Sequence, residues 1–271
     1  MPYPDRLIQA RARAASYVIG RQCANGGFCV YRSIYLEQAN LADSWHALAS
    51  LQLLQQPIPN AARLRQWLDG FAPATLNAEE LYYWAFVHQQ LQPDWAPDAA
   101  TRQHIALLPL TVPELDAGET SVLAHLLRTL KLKQTFCAFD ADPALLAWLQ
   151  RLQRGGYGAK PNLQATALAI ELLAALNQPD TSQTTREFIN ALQRRPYGFD
   201  NTLDSSYCRL DILYSGVCCC QYLGMQVKFA DEILATVVAA QRSDGAFADV
   251  PGALPTLESH YTALALMQAL A

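Results

Sequence analysis

Asp211 lies in the apolar run Leu210-Asp211-Ile212-Leu213. On a helix predicted over 205–223 it shares a face with Asp204, Tyr207, Cys208 and Ser215, at i, i+3, i+4, i+7 and i+11 counted from Asp204. Apolar shielding disfavours the charged form of a carboxyl and raises its pKa. A neutral carboxyl so placed is a general acid able to protonate an alkene or an epoxide. Tyr207 would stand beside it as a catalytic partner and Cys208 as part of a substrate-binding wall. The plain alternative is a salt bridge from Asp211 to Arg209 or to a neighbouring helix.

Protonating a hydrocarbon creates a carbocation, which electron-rich ring faces stabilise by cation–π attraction. Trp45, Tyr82, Tyr83, Trp84, Tyr207 and Tyr261 are the rings available on predicted inner helices. The rings at 82–84 cannot all face one cavity, because successive helical side chains diverge by about 100°. Trp45, Tyr83, Trp84, Cys208 and Tyr261 are the expected substrate-binding residues, against the plain reading of ordinary core packing. His46 and His260 fall near the starts of the first and last inner helices, with Asp43 and Glu258 just upstream. In a closed ring they would meet, and such a cluster could orient a substrate or take the final proton. The plain reading is helix capping along the seam. Glu79, Glu80 and Glu119 complement helix N-termini, and the same rim would suit Mg²⁺ if the substrate were a diphosphate.

These residues need elements to position them, and the chain repeats one unit. Glutamine, a short gap, glycine and an aromatic residue recur as Gln22–Gly26–Gly27–Phe28, Gln66–Gly70–Phe71, Gln153–Gly155–Gly156–Tyr157, Gln193–Gly198–Phe199 and Gln241–Gly245–Phe247. With Gly118, the turns at 27, 70, 118, 156, 198 and 245 are 43, 48, 38, 42 and 47 residues apart. An amphipathic stretch precedes each turn (5–19, 60–68, 99–108, 143–152, 184–192 and 230–240). A segment apolar around most of its circumference follows each (41–54, 78–91, 119–132, 163–176, 205–223 and 258–270). A helix apolar on most sides must be buried between neighbours, whereas an amphipathic one forms a surface. The pattern predicts an all-α, (α/α)6 toroidal barrel of six helix pairs in inner and outer rings. It is expected to be one domain over 1–271 with no sheet.

Composition narrows the function class. The 271 residues carry 20 Lys and Arg against 24 Asp and Glu, a net charge of −4, so no basic surface is offered to nucleic acid. Charged residues are 16% and apolar ones 51%, too apolar a balance for a disordered chain. No stretch reaches the roughly 18 apolar residues of a transmembrane helix, and the N-terminus lacks a signal-peptide core. The seven cysteines have no metal-ligand spacing and read as reduced, buried thiols. A cytoplasmic protein is expected.

The Gln-x-x-x-Gly-Gly-aromatic turns, followed by Thr/Tyr-Ala-x-Ala-Leu helices, resemble the repeats of the prenyltransferase and squalene-cyclase family. That family builds the α/α toroids of class II terpene cyclases and of protein prenyltransferase β subunits. Arg242-Ser243-Asp244-Gly245-Ala246-Phe247 is similar to the cyclases' glutamine–tryptophan motif, with Phe for Trp. The cyclases' Asp-x-Asp-Asp acid motif is absent, and Asp140-Ala141-Asp142 is a fragment of it placed before an outer helix. The prenyltransferases' Asp-Gly-Cys zinc turn reads Asp244-Gly245-Ala246 here, without the thiolate. The resemblance implies a small terpene cyclase-like isomerase acting on an isoprenoid or similar apolar chain by proton-initiated cyclisation. Asp211, Tyr207, His260 and His46 would be its catalytic residues, with no resident metal. Alternative readings are a prenyltransferase-like catalyst, or a non-catalytic toroid that binds a hydrophobic ligand or a protein partner.

Overall fold

The structure, a computed structural model, describes residues 3–33, 36–110, 120–139 and 143–271. The turn expected around Gly118, Glu119 and the Asp140-Ala141-Asp142 fragment lie outside the described residues. Twelve α-helices are found among the described residues. The odd-numbered ones are α1 (Tyr3–Ile19), α3 (Ala61–Leu68), α5 (Ala99–Leu107), α7 (Pro143–Leu152), α9 (Gln183–Leu192) and α11 (Ala230–Ala239). The even-numbered ones are α2 (Leu41–Leu53), α4 (Ala78–Leu91), α6 (Thr120–Phe136), α8 (Leu163–Ala175), α10 (Leu210–Leu223) and α12 (Leu257–Leu270).

Their limits follow from local chemistry. Asn40, Asn77, Asn162 and Thr256 cap α2, α4, α8 and α12 by accepting backbone N–H groups of the first turn. Asn77 and Glu80 form a reciprocal capping box, which accounts for Glu80. α10 differs from the expectation over 205–223. It begins only at Leu210, after Arg209, which makes no side-chain cap bond. Asp204, Tyr207 and Cys208 therefore precede the helix, and the five-residue face expected around Asp211 does not form.

The chain divides into two compact units, residues 1–97 with 234–271 and residues 98–233, the second boundary falling inside α11. In the first unit α12 packs along α2 and α2 along α4, so the last inner helix lies beside the first, with α1 against α2 and α12 and α3 against α4. In the second unit α6 packs along α8 and α8 along α10, sheathed by α5, α7 and α9. The apolar helices are thus the packed inner set in each unit, as their all-round hydrophobicity requires.

The glycine turns carry a feature that alternation alone did not signal. Two-residue antiparallel ladders form at Gln153–Arg154 with Gly156–Tyr157 and at Gln193–Arg194 with Gly198–Phe199. Another pairs Arg32–Ser33 with Leu36–Glu37. Strands this short have no periodicity to read, so the expectation of no sheet is corrected to small ladders at the turns. Two of the glutamines tie their turns to the next outer helix. Gln153 donates to Thr185 of α9 at 3.0 Å, and Gln241 donates to Ala10 of α1 at 2.8 Å. The glycines let the backbones close up, since a Cβ on Gly245 would strike the backbone of Arg13 in α1.

Candidate functional site

Four of the residues expected at the site come together in the first unit. The Trp45 ring lies 4.9 Å from His46, 5.9 Å from Tyr83 and 5.4 Å from Tyr261, edge-on or tilted in each case. His46 lies 5.8 Å from Tyr83 and 5.9 Å from Tyr261. Tyr82 joins at 6.3 Å from Trp45 and carries Phe86 at 4.6 Å. Stacking of α12 on α2 and of α2 on α4 makes the cluster, bringing together rings over 200 positions apart in sequence. Edge-to-face and tilted pairs are the favoured geometry of aromatic quadrupoles. Trp45 and Tyr261 are half-buried, so ring surface remains available to a ligand.

Two cavities open along the same α2–α4 seam. One of about 360 Å³ at the helix starts is lined by Asn40, Leu41, Asn77, Glu79, Glu80 and Tyr83. One of about 630 Å³ at the helix ends is lined by Leu48, Gln52, Gln56, Phe86, Gln89 and Gln90, among others. Tyr83 borders the first and Phe86 the second, so the ring cluster sits between them.

Trp84 does not join. Its indole N–H donates to the Leu68 carbonyl at 3.2 Å, and its ring meets Trp95 at 5.2 Å and His88 at 4.7 Å. It packs toward α3, about 100° around α4 from Tyr83, where the helical period sends it. His88 stacks on Trp95 at 4.5 Å, and burial pulls its pKa down to about 4 against the weaker upward pull of Asp69.

His46 and His260 also part company. His46 Nδ1 meets the Ala42 carbonyl at 2.8 Å within the ring cluster. His260 is fully buried, stacked 5.3 Å from Tyr17, and its Nδ1 accepts the Phe247 N–H at 3.4 Å. Burial pushes its pKa down to about 3, with smaller upward pulls from the Ala14 carbonyl and Asp244. The expected seam cluster of two imidazoles therefore does not form. Asp43 serves the turn instead, taking the Val30 N–H at 3.1 Å and the Asn40 side chain at 2.8 Å.

Asp211 is not the shielded acid expected. Its side chain is 33% exposed and is gripped by Arg209 through two bonds, Nε to Oδ1 at 3.0 Å and Nη2 to Oδ2 at 2.8 Å. Gln164 of α8 donates to Oδ2 at 2.9 Å and the Ile212 N–H to Oδ1 at 2.8 Å. The salt bridge is the arrangement found, because the late start of α10 leaves Arg209 extended beside its first turn. Tyr207 is 51% exposed, and Cys208 is half-buried in the segment before the helix.

A polar group missed in the sequence joins the inner helices of the second unit. Lys131 of α6 pairs with Glu171 of α8 at 2.6 Å. Tyr222 of α10 hydrogen-bonds to Glu171, and burial first, then Glu171, pushes its pKa up to about 12. Glu171 is the one charged residue of α8. A lone charge in an apolar inner helix was the available signal.

Among the described residues no three His, Cys, Asp or Glu side chains converge where a metal ion could be held. The turn matching a prenyltransferase zinc site does not fit that metal: Ala246 has no thiol, the Asp244 carboxylate takes the Ala246 N–H, and His260 Nδ1 takes that of Phe247. No described helix is long and apolar enough to cross a membrane.

Comparison with curated proteins finds no match. The repeat, the paired helices and the turn chemistry agree with one family model, which matches residues 6–92 and 100–271. The chain belongs to the prenyltransferase alpha-alpha toroid domain family.

Proposed function

We propose that this protein is an enzyme that holds an isoprenoid-like chain against the Trp45–Tyr82–Tyr83–Tyr261 rings and carries it through a carbocation, with proton-initiated cyclisation as the reaction. The convergence of these rings beside Phe86, between two cavities on one seam, is the observation that supports it. A hydrocarbon chain gains from apolar contact along such a seam, and a developing cation gains from the ring faces. His46, within the cluster, is the base nearest the rings for the closing deprotonation. Asp211, in the second unit, is tested separately as an acid, and its ion pair with Arg209 must open and the carboxylate take up a proton before it could donate one.

The test is incubation with linear polyprenyl diphosphates, neutral polyenes and their epoxides, followed by gas chromatography with mass detection. Tryptophan fluorescence reports binding in the same samples, and because the chain has five tryptophans the Trp45 share is read as the difference from Trp45→Phe. Cyclic products from a polyene or epoxide, with saturable quenching, are expected. Saturable quenching with every substrate recovered unchanged would leave a carrier of hydrophobic ligands in place of an enzyme.

A further inference from the structure

Cys23 and Cys29 flank the first glycine turn. Both are buried, at 5% and 2% exposure, and the Cys23 thiol donates to the Cys29 sulfur across 3.0 Å. The turn builds this contact. Gln22 bridges Phe28, the Cys23 N–H donates to the Gly27 carbonyl at 2.8 Å, and the Cys29 N–H donates to Arg21 at 3.2 Å. Residues alternate faces in such a pairing, so Cys23 and Cys29 share one face as diagonal neighbours. Gly26, at φ +102°, makes the reversal between them and lies so close to α3 that a Cβ there would strike the Arg63 backbone.

We propose that Cys23 and Cys29 are a redox modification site, closed to a disulfide by hydrogen peroxide or another small peroxide. One thiolate attacks a peroxide oxygen; the O–O bond breaks, leaving a sulfenic acid and releasing hydroxide, which becomes water on protonation. The second thiolate attacks that sulfur; the S–O bond breaks and the oxygen leaves as a second water. The two thiols together lose two electrons and two protons, and the peroxide is reduced to two waters. A disulfide bond is about 2.05 Å long, so the sulfurs close by only about 1 Å from where the turn holds them.

The three cysteines of α10 compete poorly. Cys218, Cys219 and Cys220 are consecutive in α10, and burial pushes the thiols of Cys218 and Cys220 up to about 11. Closing the turn has a structural consequence as well. Phe28, between the cysteines, gives its N–H to Ser44 of α2 and its carbonyl to Asn40, the α2 cap. The disulfide would therefore clamp the start of the helix that carries Trp45 and His46.

The sequence offers a direct test. Tryptic cleavage after Arg21 and Arg32 releases peptide 22–32, which holds Cys23 and Cys29 and no other cysteine. The full chain is treated with equimolar hydrogen peroxide, unfolded, alkylated with N-ethylmaleimide and digested. The expected result is an unlabelled 22–32 peptide lighter by two hydrogens, about 2 Da. It should gain both labels after dithiothreitol. The oxidised chain should melt a few degrees above the reduced one, and Cys29→Ser should abolish both the light peptide and the shift. A peptide that still takes two labels after peroxide would overturn the proposal. So would Cys23 found bonded to a cysteine outside that peptide.

Discussion

His260 occupies in α12 the position that Ser44 occupies in α2. Each stands four residues past its helix cap, Thr256 or Asn40, and takes the backbone N–H of the aromatic residue in the preceding turn, Phe247 or Phe28. Thr166 does the same for Tyr157 in α8. A histidine that looked catalytic is thus the sixth repeat's version of a hydroxyl that holds its turn against its inner helix. His46 is two residues further along α2 than this position, about 200° around the helix, and so reaches the ring cluster instead.

This relationship predicts a pH response. His260 titrates near 3 when folded and near the usual 6.5 when unfolded, so the unfolded chain binds the proton more tightly. Stability is then fully present above about pH 6.5 and falls as the pH drops toward 3, by about 1.4 kcal/mol per unit while only the unfolded chain is protonated. His88, lowered to about 4, adds to the same trend. His260→Thr keeps an acceptor for Phe247 and removes one titrating group. It should cost about 2–4 kcal/mol at pH 7.5 through the lost ring volume and flatten the acid limb. Urea midpoints from pH 4 to 8 on both chains check this; parallel curves would refute it.

The turn glycines separate packing from backbone conformation. Gly245 and Gly252 both have positive φ, +92° and +84°. A Cβ on Gly252 meets nothing within 4 Å, whereas one on Gly245 strikes the Arg13 backbone. Gly252→Ala should therefore cost about 1 kcal/mol, the conformational penalty alone. Gly245→Ala should cost at least twice that, because α1 must move. Equal melting temperatures for the two variants would count against tight packing of the last turn on the first helix.

The ring cluster predicts a split between shape and electronics. Trp45→Phe keeps a ring face, while Trp45→Leu keeps an apolar side chain without one. If the rings stabilise a cation, worth about 2 kcal/mol when desolvated, Trp45→Leu should lower turnover about thirtyfold and leave KM within threefold. Trp45→Phe should stay within about tenfold of the parent. Equal losses in both variants would point to packing alone. The readout is product formation over a range of substrate concentrations.

Asp211→Asn tests the ion pair against the acid. With both partners partly exposed, at 45% and 33%, the pair contributes about 0.2–1 kcal/mol. The melting temperature should fall by no more than a few degrees. A larger fall would mean that the Gln164 and Arg209 contacts carry more of the α8–α10 packing than solvent exposure suggests. A loss of turnover of about 10² or more with an intact melt would assign Asp211 the acid role.

The sequence by itself determined the paired helices, most of their limits and the repeat that relates them. Caps and helical periodicity are local, and Asn77 or Asn162 does its work within a few residues. Only the tertiary structure decided what the polar and aromatic side chains face. Trp45 meets Tyr261 because α12 returns to α2, and Trp84 turns to α3 because Tyr83 already faces α2. Asp211 is paired because α10 starts five residues later than its pattern suggested, where no side chain caps an earlier turn. Periodicity says that residues share a face; it does not say what stands opposite, and that neighbour sets burial, charge state and chemistry.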